Sequence, residues 1–425
     1  MGSEIVSIRG RRVWDSRGRP TVEAEVRLAC GSLGRAIAPA GASRGSREAV
    51  DLRDGGARLG GNDVTRAVGN IGEEIAEALS GFDAHDQAAV DATLVALDGT
   101  PDKARLGGNA MVAVSLAIAQ AAAASDGLAL WRYLAGARPV SLPLPEIQIF
   151  GGGAHAGGRI DVQDLMVIPM AAASFGEALC VCADVYRAAG ALMHEAGTRF
   201  GVADEGGYWP AFASNEEALT VLVRAIERAG YSAGDEVAIS LDIAASELAR
   251  DGRYRFGLDG RDFDSDGLAE VLLGWLDRYP VVSIEDPFAE DDRDAWIRFA
   301  GVAGQHVQII GDDYLTTNAA RVDAAAADRS CNAVLLKPNQ AGTVSETLAA
   351  LEAARRAGFG TIVSARSGET EDVAVVHLAV GWNAGQLKVG SLARGERTAK
   401  WNEALRIEEA SGAHYTGASA LRSSL

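Results

Sequence analysis

The sequence predicts an α/β protein in two parts. Residues 1–138 read as an α+β domain, a three-stranded meander followed by helices, and residues 139–425 as a (β/α)8 barrel. Three observations carry this. Apolar and polar residues alternate through the first strand-like segments. A proline-rich stretch, Gly136-Ala-Arg-Pro-Val-Ser-Leu-Pro-Leu-Pro145, then breaks the chain. Beyond it, short apolar runs alternate with longer amphipathic ones.

The meander is expected at residues 5–9, 21–28 and 33–39, with turn chemistry at Asp15-Ser-Arg-Gly and Cys30-Gly-Ser between them. Helices are expected at 63–79, where Val64, Val68, Ile71, Ile75 and Leu79 form one stripe, and at 85–97 and 109–123. Two prolines within three residues exclude a helix at 136–145, which reads as the linker. After it, Ser174-x-x-Glu177, Ser214-x-x-Glu217 and Thr343-x-x-Glu346 are capping boxes that open helices. Gly230 and Gly358 end two of them. Strands are expected at 237–243, 281–284, 307–310, 333–336, 361–364 and 386–389. That rhythm favours a closed barrel over an open sheet.

A chain of 425 residues exceeds what one core usually serves. With 48% hydrophobic and 23% charged residues it is of ordinary globular composition. The net charge of −18 argues against nucleic acid and anionic membranes as partners. It leaves room for a small anionic substrate, because a few focused cations can dominate a cleft. No unbroken run of 18 apolar residues occurs, so no membrane span is expected. Residues 1–11 lack the apolar core of a signal peptide, so a cytoplasmic location is expected. Cys30, Cys180, Cys182 and Cys331 match no zinc or redox spacing and are expected to be buried free thiols.

What ends each apolar run is more informative. The runs deliver Asp242, Glu285, Asp312 (followed by Asp313), Lys337, Arg366 with Ser367, and Lys388, in that order. One charge after a strand is an ordinary solvated turn residue. In a barrel, parallel strands end on one rim, so six in succession would meet in one cleft. Three converging carboxylates need a cation, and hard oxygen ligands suit Mg²⁺. Lys337, beside the metal, Lys388 and Arg366, is expected to lose its proton readily and serve as a base. Arg366 and Ser367 offer a fork and a hydroxyl to a phosphate.

These residues stand in stretches that resemble enolase. They are Asp15-Ser-Arg-Gly-x-Pro-Thr-Val-Glu, Gly41-Ala-Ser-x-Gly-Ser-x-Glu-Ala, Asp204-Glu-Gly-Gly, Ser283-Ile-Glu-Asp-Pro-Phe-Ala-Glu-Asp-Asp, Gly311-Asp-Asp, Leu336-Lys-Pro-Asn-Gln, Arg366-Ser-Gly-Glu-Thr-Glu-Asp and Arg406-Ile-Glu-Glu. The resemblance runs through nearly the whole chain. It implies an enolase-type barrel with a capping α+β domain. Asp242, Glu285 and Asp312 would be magnesium ligands, Lys337 the base and Glu205 the acid. Arg366 and Ser367 would contact phosphate, and Lys388 the substrate carboxylate. Ser43 would close over the phosphate and a second magnesium, and His155 would lie near the substrate. A lysine base with Mg²⁺ is the general description of enolase-superfamily sites, so that pairing is not independent of the resemblance. A homodimer built through the N-terminal domain is also implied.

Several positions depart from the family pattern. Ser-His-Arg-Ser becomes Ser364-Ala365-Arg366-Ser367, and Gln-Glu-Phe-Met becomes Gln163-Asp164-Leu-Met. Asn-Gly-Gly-Ser-His becomes Gly151-Gly-Gly-Ala-His155, and Pro-Ser-Gly-Ala-Ser-Thr becomes Pro39-Ala-Gly-Ala-Ser43-Arg44. Asp164 and Arg44 join the candidate substrate contacts. Loss of an imidazole and shortening of a carboxylate are expected to enlarge the pocket, and Arg44 to add a cation. Together they point to a paralogue specialised for a larger or more anionic phospho-substrate. The rivals are an ordinary enolase, a non-catalytic binding relative, and a barrel enzyme for sugar acids or dipeptides. The last is disfavoured by the Gly41-Ala-Ser loop and the Arg366-Ser367 pair.

Overall fold

The computed structural model describes residues 2–421. Its N-terminal sheet is antiparallel, Ile5–Trp14, Pro20–Leu28 and Leu33–Ile37 in that order. Helix Gly108–Ser125 lies directly on it. Gly34 permits the approach, since a Cβ there would sit 1.9 Å from the Ala117 carbonyl oxygen. This helix is apolar and long enough to cross a membrane, with a mean hydropathy of 1.3, but 83% of it is buried inside the protein. The stripe expected at 63–79 forms, with a wide π turn at Ile71–Ile75 between helices Thr65–Asn70 and Ala76–Leu79.

Eight strands close the barrel: Leu144–Gly151, Asp164–Pro169, Val237–Asp242, Val281–Glu285, Gln308–Gly311, Ala333–Leu336, Gly360–Ser364 and Gln386–Gly390. The last pairs with the first, Lys388 opposite Glu146. The first two strands escape the sequence pattern. Leu144–Gly151 begins inside the proline stretch and carries Glu146 and Gln148, both fully buried, where an apolar run was sought.

One strand also breaks the uniform βα rhythm. Asp164–Pro169 runs antiparallel to both neighbours, with Asp164 opposite Gly151 and Asp242. Asp164 therefore begins its strand on the rim where Gly151 and Asp242 end theirs. Helices Phe175–Ala196 and Asn215–Arg228 follow together before the third strand. Ser174, Ser214 and Thr343 each accept a hydrogen bond from the backbone N–H three residues on, as the capping boxes require.

All four cysteines are free, but the expectation of burial fails for two. Cys30 is exposed in a hairpin turn of the N-terminal sheet. Cys180 faces solvent because the two-residue spacing from buried Cys182 turns it to the other side of the helix.

The domains meet where the site is built. Ala40 and Gly368 exchange backbone hydrogen bonds of 2.9 and 2.8 Å. The Ser16 N–H donates to the Glu369 carbonyl at 2.7 Å, and Arg17 Nη2 to the Ala40 carbonyl at 2.8 Å. The N-terminal hairpin thus props the loop that carries Arg366 and Ser367.

Candidate active site

The barrel rim gathers most of the predicted residues around one cavity. Ser43, His155, Gln163, Asp164, Glu205, Asp242, Lys337, Ser364, Ala365, Arg366, Ser367 and Lys388 line it. Asp242 and Glu285 are the last residues of their strands and stand opposite each other in register. Asp312 and Lys337 each follow directly on a strand end. Glu205 comes from the turn between Arg199–Val202 and Tyr208–Pro210, and its carbonyl accepts the Ser391 N–H at 2.8 Å. His155 lies on a short helical turn, Gly153–Ala156, whose His155 carbonyl accepts the Asp204 N–H at 3.2 Å.

Lys388 is the electrostatic centre. Its Nζ lies 2.7 Å from Glu285 Oε2, 3.0 Å from Asp242 Oδ2 and 3.3 Å from Asp164 Oδ2. Burial alone would lower its pKa, but Asp242, Glu285 and Asp164 hold it well above the usual lysine value. Burial pushes Glu285 up, and Asp242 adds to that. Against the same burial, Lys388 and His155 hold Asp164 well below the carboxylate range.

Lys337 pairs instead with Asp312, whose other oxygen accepts from Gln340 Nε2 at 2.8 Å. Ready loss of its proton was expected beside a bound metal, and without one the balance runs the other way. Burial and Arg366 do lower its pKa, but Asp312 outweighs them and the net shift is upward. With Asp312 uncompensated by a cation, the protonated form of Lys337 is favoured.

In the protein alone the three expected metal ligands are engaged by lysines. Among the described residues, the sets of three whose ligand atoms lie within 4.8 Å of one another are His155, Asp164, Glu205 and Asp286, Asp312, Asp313, not Asp242, Glu285, Asp312. Lys388 stands against the first two of the expected ligands, and Lys337 against the third. The donor set nevertheless fits a hard divalent cation. All three side chains are carboxylates, and Glu285 Oε1 is buried without a hydrogen-bond partner.

His155 is held between acids, Nδ1 3.3 Å from Asp164 Oδ1 and Nε2 3.8 Å from Glu205 Oε1. The first contact is not aligned as a hydrogen bond. Burial lowers the imidazole pKa, but Glu205 and Asp164 outweigh it and favour the imidazolium. Asp164 also accepts from Gln148 Nε2.

Two expectations concerned pocket shape. Arg44 is not brought into the cavity. Its side chain is half exposed and turned toward Asp51, 3.9 Å away. Ala365 lines the mouth beside Ser364 and Arg366. The free volume at the mouth is about 20 Å³, room for roughly one water. Gln148, His155 and Lys388 close around Asp164.

Sequence reasoning missed a supporting set. Gln163 donates to Asp242 Oδ2 at 3.1 Å and keeps a buried, unpartnered Oε1. Asn339, Gln340 and Glu48 surround Arg366 and Asp312. All four lie inside the motifs quoted above, but three amides and a loop carboxylate gave no signal of their own. Arg397, fully buried, donates to the carbonyls of Arg366 and Ser367 at 2.6 Å each and of Val389 at 2.9 Å. Replacing it with methionine strands three buried acceptors at ~1–3 kcal/mol each. Arg397→Met is expected to lower unfolding free energy by at least ~3 kcal/mol, read from the urea midpoint.

The fold and rim together define a barrel enzyme with a capping domain that lends a loop to the barrel mouth. Comparison with known families gives the particular one. Residues 5–134 match the enolase N-terminal domain, and residues 139–424 match the enolase C-terminal TIM barrel domain. The chain belongs to the enolase family.

Proposed function

We propose that the protein is a magnesium-dependent enolase-type lyase for a small phosphorylated hydroxy acid of the 2-phosphoglycerate class. The observation that carries this reading is one cavity lined by both a lysine, Lys337, and an acid group of Glu205, His155 and Asp164. Lys337 Nζ takes the proton from the carbon beside the substrate carboxylate. Lys388 holds that carboxylate, and Arg366 with Ser367 holds the phosphate. The Glu205–His155 pair gives the proton held on its imidazolium to the β-hydroxyl, with Glu205 facing the leaving oxygen, and the hydroxyl leaves as water as the carbon–carbon double bond forms. Ser43, from the capping domain, closes the mouth against solvent. Asp242, Glu285 and Asp312 would hold the magnesium ion, with Ser43 at a second. Bound there, magnesium would neutralise the substrate carboxylate and draw Asp312's charge away from Lys337.

The finer reading is a specialised paralogue, such as a carboxyphosphonoenolpyruvate synthase in phosphonate biosynthesis. It is supported by Ala365 and Asp164, two of the departures from the family pattern, lining the same cavity as Glu205. Ordinary enolase is the second reading, favoured by Lys337, Glu205, Arg366, Ser367 and Lys388 all lining one cavity. Incubation with Mg²⁺ and 2-phosphoglycerate, followed by enolpyruvate absorbance, separates them. The specialised reading expects slow or no net dehydration. Turnover on the order of 10 s⁻¹ or more establishes the ordinary enzyme instead. A protein that binds no Mg²⁺ in calorimetry is neither, and a non-catalytic role is then left. A cytoplasmic homodimer, the dimer being implied by the family resemblance, is part of the proposal, and the net charge of −18 argues against nucleic-acid and anionic-membrane partners.

A further inference from the structure

Arg366 is almost fully committed before any substrate arrives. Its Nη1 donates to Glu48 Oε2 at 2.9 Å and to Asn339 Oδ1 at 3.0 Å. Its Nη2 donates to Glu48 Oε1 at 3.0 Å and to the Ser43 carbonyl at 3.2 Å. A guanidinium has five N–H groups, so these four contacts use both terminal nitrogens and leave Nε. The pair is buried, the two side chains being 2% and 5% exposed.

Glu48 does not reach this fork from the mouth. Arg366 lines the mouth cavity and Glu48 does not. Glu48 instead lines a separate small cavity with Pro39, Gly41, Arg44 and Asn339. The same carboxylate has two further partners. Oε1 accepts the Gly45 N–H at 3.2 Å, within the loop that carries Ser43. It also accepts from Gln340 Nε2 at 3.3 Å, and that amide donates to Asp312 Oδ1 at 2.8 Å. Thr317 Oγ1 donates to Gln340 Oε1 at 2.6 Å and fixes which way the amide points.

We propose that Glu48 is a positioning residue for anion binding, gripping the Arg366 guanidinium from behind and, through Gln340, keeping it in register with Asp312. This rests on the reading of Arg366 and Ser367 as the phosphate contacts. A charged fork held at both terminal nitrogens cannot swing away when the mouth is empty. Its remaining surface then meets an incoming phosphate without reorganisation. The carboxylate also offsets the cost of burying the cation. Binding of an anionic group is thereby coupled to the loop bearing Ser43 and to a predicted metal ligand.

The opposite role for Glu48, an internal anion that competes with phosphate for Arg366, predicts the reverse effect of removing its charge. The test is calorimetry of inorganic phosphate, with Mg²⁺ present, on wild type, Glu48→Gln and Glu48→Asp. Phosphate affinity is expected to fall roughly tenfold or more in Glu48→Gln and to recover in part in Glu48→Asp. With a turned-over phospho-substrate, KM should rise by a similar factor while kcat stays within about threefold, a split that general loss of folded protein would not give. Unchanged or tighter phosphate binding in Glu48→Gln overturns the proposal. Should that variant fail to fold, Glu48→Asp binding phosphate as tightly as wild type overturns it equally. Wild type that binds no phosphate removes the underlying reading of Arg366 as well, and so is told apart from failure of the Glu48 role alone.

Discussion

Lys337→Met is expected to slow exchange of the substrate's acidic carbon proton with solvent by roughly 10²–10⁴, the usual weight of a positioned general base. The measurement is deuterium uptake by 2-phosphoglycerate in D₂O with Mg²⁺ present, followed by mass. Net product formation is a poorer readout, because a paralogue that does not dehydrate could still exchange the proton. The side chain follows the Leu336 strand end, where a methionine fills similar volume; Asp312 loses its cation but keeps the Gln340 Nε2 donor, and the exchange assay is run on variant verified as folded. Exchange within threefold of wild type would remove Lys337 from the mechanism. The ion pair with Asp312 makes the magnesium requirement equally sharp. A lysine held as its ammonium beside a carboxylate takes no proton, so exchange should vanish in a chelator even in wild type.

The second large effect falls on stability. Lys388→Met takes the common cation from Asp164, Asp242 and Glu285, all buried. Breaking a buried pair by removing one partner costs ~3–5 kcal/mol, since the charge left behind stays out of water. The urea midpoint without divalent ions should fall accordingly, and added Mg²⁺ should restore part of the loss by binding only the folded chain. The pH dependence has a definite sign. In wild type, Lys388 and His155 hold Asp164 below its unfolded value despite burial. Its stabilising contribution is therefore present above the ordinary carboxylate range and lost as pH falls through the depressed value. In the variant, burial acts on Asp164 and Glu285 with less opposition and both carboxyls move up, so their charged forms oppose folding. The deficit should be largest near neutral pH and shrink as pH drops below ~4. A deficit independent of pH would mean that Lys388 contributes packing and not charge.

Much of the barrel was legible because its strands from Val237–Asp242 onward are apolar runs buried by helices on one side and the barrel interior on the other. Capping boxes fixed three helix starts from side-chain chemistry alone. The first two strands were not legible. Glu146, Gln148 and Asp164 project into a polar barrel interior, so the residues that look solvent-facing in sequence are fully buried. The reversed direction of Asp164–Pro169 leaves no mark on a pattern that is the same read either way.

The sequence by itself determined which chemistry-bearing groups exist and that strand ends bring them to one rim, because alternation and run length are local properties of the chain. Tertiary structure alone decided how they pair. Lys388 stands among Asp164, Asp242 and Glu285, Lys337 stands on Asp312, Glu48 grips Arg366, and Arg44 turns away toward Asp51. Charge pairing depends on distances of a few ångströms between segments far apart in the chain. The proton affinities of Lys337 and His155 follow from those distances, and no reading of residue order contains them.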